Sequence, residues 1–90
     1  TTMTSRVYKY EVGLGGSIEV PKGADILNAG VQGYGVVIWA LVDDSEPETE
    51  NLDVLVVGTG HAFSTKGYNY LNTVFMDDLV FHIYVESLNA

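Results

Sequence analysis

The amino-acid sequence predicts an all-β fold: a small two-sheet sandwich or partly open barrel of about seven mostly antiparallel, hairpin-connected strands. Three observations carry that prediction. The run Gly35-Val36-Val37-Ile38-Trp39-Ala40-Leu41-Val42 has no charge and no polar side chain except the indole N–H. Val-Val-Ile loses rotamer freedom in a helix and the run is of strand length, so it reads as a central strand covered on both faces. Other segments alternate apolar and polar residues at strand length, with glycine, proline or aspartate pairs between them. Finally, 90 residues, 47% of them apolar, suffice for one domain with one modest core.

Thr1 to Ser5 is polar and aperiodic and reads as a flexible tail, leaving 6–90 as the single domain. Arg6 to Val12 alternates, with Tyr8, Tyr10 and Val12 on one face and Val7, Lys9 and Glu11 on the other. Gly13-Leu14-Gly15-Gly16 is a turn. Ser17 to Val20 returns with Ile18 and Val20 inward, which predicts that the first two strands form a hairpin. Pro21-Lys22-Gly23 is a tight turn, because proline presets φ at its first central position and glycine accepts the conformation at its end. In Asp25 to Gln32, Leu27, Ala29 and Val31 share a face and Ile26 breaks the pattern. The short link Gly33-Tyr34-Gly35 forces a hairpin into the apolar run.

Asp43 to Asn51 reads as an acidic loop, and Ser45-Glu46-Pro47-Glu48 suits a turn. Leu52 to Val57 is a strand broken only by Asp53. It is expected to join Asp25–Gln32 and Val36–Val42 in an antiparallel meander. Gly58 to Asn69 is the longest irregular stretch, and Tyr70–Met76 and Leu79–Val85 form a last hairpin through Asp77-Asp78.

Twelve acidic residues face four basic ones, a net charge of −8, which argues against binding of a nucleic-acid backbone. The charge suits solubility or a basic protein surface. Half of the acids are Asp43, Asp44, Glu46, Glu48, Glu50 and Asp53, so the acidity belongs largely to one loop and its flanks. Without cysteine there is no disulfide framework and no thiolate chemistry. No leader opens the chain and no stretch approaches the ~20 apolar residues of a membrane span, so a soluble intracellular product with no membrane partner is expected.

The candidate ligand-binding segment is Gly58-Thr59-Gly60-His61, with Lys66 to add charge. Glycines expose backbone N–H groups, threonine adds a hydroxyl and histidine exchanges protons near neutral pH. The spacing matches neither a phosphate-binding loop nor a dinucleotide fingerprint, and the plainer reading is a bend. His82 is read as a histidine hydrogen-bonded within the sheet. No base–nucleophile arrangement and no facing carboxylates stand out, and neither a metal nor a cofactor is expected. Trp39, the single tryptophan, reads as core or as an interface anchor together with Tyr8 and Tyr10. The surplus of apolar strand faces predicts a homo-oligomer, most simply a dimer.

Tyr8-Lys9-Tyr10-Glu11, Pro21-Lys22-Gly23-Ala24, Trp39-Ala40-Leu41-Val42-Asp43, Gly58-Thr59-Gly60-His61 and Val80-Phe81-His82-Ile83-Tyr84 together make the chain resemble a family of small tailed-bacteriophage proteins described as a domain of unknown function. The resemblance spans nearly the whole chain, although members have a tighter first hairpin than Gly13-Leu14-Gly15-Gly16 provides. It implies a phage or prophage source and no reaction. Three roles are compatible with it, in this order: an accessory protein that binds a host protein in the host cytoplasm, a small-ligand or nucleotide-binding module, and an oligomeric component of the virion. Clustering of the acids weakens outright mimicry of DNA.

Overall fold

A computed structural model describes residues 4–87. Its seven strands are β1 (Ser5–Gly13), β2 (Gly16–Pro21), β3 (Asp25–Gln32), β4 (Gly35–Asp43), β5 (Thr49–Gly58), β6 (Tyr68–Met76) and β7 (Leu79–Glu86). They form two antiparallel sheets ordered β1-β4-β3 and β2-β5-β7-β6, which makes the fold an all-β two-sheet one, as the alternation predicts. The molecule measures 47 × 30 × 16 Å, and the shortest dimension leaves room for one layer of side chains between the sheets.

That layer is built by alternate residues of every strand. From β4 come Val36, Ile38, Ala40 and Val42, all at most 2% exposed, and facing them are Ile18, Val20, Leu52, Val54, Val74, Ile83 and Val85. Burying each branched apolar side chain contributes about 1.5–3 kcal/mol, so this single layer holds the domain together.

The β3–β4 and β6–β7 hairpins form as the short links predict, with Gln32 opposite Gly35 and Met76 opposite Leu79. Asp77 takes the left-handed conformation that this tight turn demands (φ 54°). Two expected pairings do not form. β1 pairs with β4 instead of β2, because Gly13, Gly15 and Gly16, all at positive φ, carry the chain across from one sheet to the other. Nor does β5 extend a meander. The link after Asp43 crosses to the second sheet, where β5 lies between β2 and β7 and turns Leu52 and Val54 into the core.

Two bulges explain breaks in alternation. In β3 the register shifts between Ile26 and Asn28, so Ile26, Ala29 and Val31 pack inward and Leu27 is left exposed. In β6 it shifts between Tyr70 and Asn72, which puts Tyr70 on the outer face with Thr73 and Phe75. The acidic loop is also shorter than expected, since β5 begins at Thr49 and pairs there with Pro21. Of the expected tail, Thr1 to Met3 lie outside the described residues, while Ser5 already pairs with Asp43.

β5 and β6 both run antiparallel to β7, and are therefore parallel to each other. The chain between them has to travel back along the sheet, and it does so over the outer face: Phe63 packs edge-on against Tyr84, with ring centroids 4.9 Å apart. This segment supplies a second cover on the outer face, where Tyr84 lies opposite Leu55 of apolar β5. Among the described residues no connecting segment crosses the outer face of sheet β1-β4-β3 in this way.

Candidate functional site

Three places gather the residues of interest. The first is the exit of β5. Gly58 to His61 closes a turn in which the His61 N–H donates to Gly58 O at 3.1 Å and Gly60 takes φ +91°. The Thr59 N–H donates to Val80 O at 3.3 Å. The backbone donors of Thr59 and His61 are thus spent within the fold. Lys66 is carried away from this turn: Tyr68 pairs with Glu86 while Gly58 pairs with Phe81, about 17 Å apart along β7.

What the turn does present is a side-chain relay. Thr59 Oγ1 lies 2.8 Å from His82 Nε2, His82 Nδ1 lies 2.9 Å from Thr73 Oγ1, and Thr73 Oγ1 lies 2.6 Å from the Tyr70 hydroxyl. Every member can both donate and accept, so protons can be reassigned along the chain without leaving a partner unpaired. A hydroxyl holds Nδ1 where a triad would place a carboxylate, so the group that stabilises an imidazolium is absent from this relay. His82 is hydrogen-bonded in the sheet, as its strand position predicts. Simple alternation does not bring Tyr70 and Thr73 to it, because without the bulge at Leu71 they fall on opposite faces. An open hollow of about 330 Å³ adjoins the turn, lined in part by Gly58, Thr59, His61, Asp78 and Leu79. Among the described residues no three His, Asp or Glu side chains gather to hold a metal ion.

The second place is the acidic end. Arg6 pairs with Asp44, and Lys22 Nζ lies 3.4 Å from Glu48 Oε2. Glu50 accepts the Gly23 N–H at 3.3 Å, and Asp43 accepts the Ser45 N–H at 3.0 Å and its hydroxyl at 2.6 Å. The acids are therefore tied to β1 and to the β2–β3 turn, although exposed pairs of this kind add little stability. The Ser45 hydroxyl, and then its N–H, hold the Asp43 carboxyl below the ordinary aspartate range. A depressed carboxylate stabilises the fold above its unfolded pKa, and that stabilisation is lost as pH falls through the folded value. Carboxyl-carbon NMR is expected to show Asp43 titrating below the ordinary aspartate range, and Ser45→Ala is expected to raise its midpoint. Equal midpoints for Asp43 in both proteins would refute the assignment.

The third place is the outer face of β1-β4-β3. Trp39 lies between Lys9 and Asn28 in register. Its indole rests on Gly30, where a Cβ would come within 2.8 Å of Cζ3 and 2.9 Å of Cη2. Glycine is what lets the ring lie flat. Beside it Val7, Leu27 and Leu41 are 56%, 48% and 38% exposed, and Asp25 and Asp43 close the acidic end of the same face. Tyr8 and Tyr10 are not there. They pair with Ala40 and Ile38 and so point to the inner side, where burial, and secondarily the neighbouring Tyr8, raise the pKa of Tyr10. The grouping of Trp39 with both tyrosines is thereby divided between two faces.

A family model described as a domain of unknown function (DUF7352) matches residues 3–90. No curated protein and no solved structure matches the chain. The chain belongs to the DUF7352 family.

Proposed function

We propose that this DUF7352 member is a small acidic phage protein that acts by holding a host protein, with the outer face of β1-β4-β3 as its grip. The observation that supports this reading is the placement of Trp39, Val7, Leu27 and Leu41 on one sheet face that, among the described residues, no connecting segment crosses and that ends in Asp25 and Asp43. Indole anchors are over-represented at interface centres, and a rim of one charge sign steers a partner of the other. The fitting partner has an apolar centre and a basic rim. A small-ligand reading stands second and draws on the hollow beside Thr59 and His61.

Native mass spectrometry of the tagged chain purified from infected cells tests this. A basic host protein is expected to be retained, to be lost with Leu41→Asp, and to persist with Tyr34→Asp, a 96% exposed position at a turn. Trp39→Ala is expected to weaken binding at least about 10-fold, the ordinary scale for an interface anchor. Retention of a small molecule instead would favour the second reading. Recovery only with particles would favour a virion role.

A further inference from the structure

The two seams where the sheets meet are unlike. At one, the Asn72 side chain of β6 spans to β3: its Oδ1 accepts the Ala29 N–H at 3.1 Å and its Nδ2 donates to Ala29 O at 2.9 Å. At the other, β1 lies beside β2, and among the described residues the hydrogen bond joining them is that of the turn, Gly15 N–H to Val12 O at 3.3 Å. Among the described residues the edge of β1 is therefore open.

One bond determines which groups that edge presents. The Asp44 N–H donates to Thr4 O at 3.0 Å, and hydrogen-bonded pairs alternate along an antiparallel ladder. Arg6, Tyr8 and Tyr10 thus turn their main-chain groups toward β4, while Ser5, Val7 and Lys9 turn theirs to the free edge. Val7 and Tyr8 are 56% and 41% exposed there.

We propose that a second copy of the chain adds its own β1 to this edge, antiparallel, about a two-fold axis at Val7. Val7 then faces Val7, Ser5 faces Lys9 and Arg6 faces Tyr8, where a guanidinium gains from the ring. The neighbouring registers are poorer. A two-fold at Arg6 or at Lys9 sets like charges opposite each other. One at Tyr8 sets Arg6 against Tyr10, which already packs on its own core. The charges of β1 thus select one pairing on an edge that would otherwise accept any strand. The resulting six-stranded sheet carries both Trp39 rings on one face. The dimer rests on the geometry and the charges of the β1 edge and stands or falls apart from the host-protein reading.

The absence of cysteine makes the test direct. Hydrogen-bonded antiparallel pairs have Cα atoms about 5.5 Å apart, within disulfide range. On mild oxidation Val7→Cys is expected to cross-link into a covalent dimer and Tyr8→Cys to remain largely monomeric. Sedimentation of the unmodified chain is expected to show a dimer in the micromolar range. Val7→Pro removes only an N–H that faces away from β4, and Val7→Lys sets two cations opposite; both are expected to give monomers with unchanged Trp39 fluorescence. Leu41→Asp is expected to leave the dimer intact. A monomer at all concentrations, a dimer that survives both Val7 variants, or preferential cross-linking through Tyr8→Cys would overturn the proposal.

Discussion

Ile38→Ala is expected to destabilise the domain by about 2–5 kcal/mol, the range for truncating a fully buried isoleucine. Ile38 is 0% exposed and lies at the centre of β4, with Tyr10 and Ala29 opposite it in the two neighbouring strands. The other sheet supplies the rest of its surroundings, and a layer this thin has no second shell of apolar residues to collapse into the gap. A domain of this size has about 5–15 kcal/mol of stability in all, so the loss is a large fraction of it. Urea unfolding followed by Trp39 fluorescence measures the change. Leu41→Ala, three residues along the same strand but 38% exposed, is the comparison and is expected to cost less than about 1 kcal/mol. Equal losses in the two variants would mean that the single shared layer is not where the stability resides.

How far the sequence disclosed this arrangement depends on distance along the chain. The β3–β4 and β6–β7 hairpins were legible because a short link between two alternating strands favours their pairing. The β1–β2 link is just as short, yet its glycines pass between sheets, as the longer acidic β4–β5 link also does. Local alternation says which residues share a face but not which strand lies alongside, and β1 finds its partner some thirty residues away. The same limit governs the candidate site. Trp39 could be singled out from its apolar run. That Lys9 and not Tyr8 would be its neighbour depends on the β1–β4 register, which no local feature announces. Tyr70 and Thr73 stayed hidden behind a bulge at Leu71, and Ile26, which broke the alternation of its strand, was the one visible mark of the bulge at Leu27.

Asn72→Leu is expected to destabilise the domain by about 2–4 kcal/mol, because it strands one backbone donor and one acceptor together. Ala29 sits opposite Ile38, and β4 spends the main-chain groups of Ile38 on β1, so the N–H and C=O of Ala29 turn away from β4 toward the edge. The Asn72 amide meets both, at 3.1 and 2.9 Å, and stands in for the peptide group of a missing strand. It can do so because ordinary alternation turns Asn72 inward with Val74, opposite Ile83 of β7. Leucine fills the same space without a polar atom and keeps water from Ala29. Asn72→Ala admits water and is expected to cost less, and Asn72→Asp keeps the acceptor but sets a carboxylate against the Ala29 carbonyl. Hydrogen exchange reads the effect at its origin: the Ala29 amide, protected in the unmodified chain, is expected to exchange faster in Asn72→Leu by more than global destabilisation accounts for. If its protection fell only in step with that of core amides such as Leu52, the seam between β3 and β6 would be held by side-chain packing, and one amide would not be what closes this side of the sandwich while the β1 edge stays open.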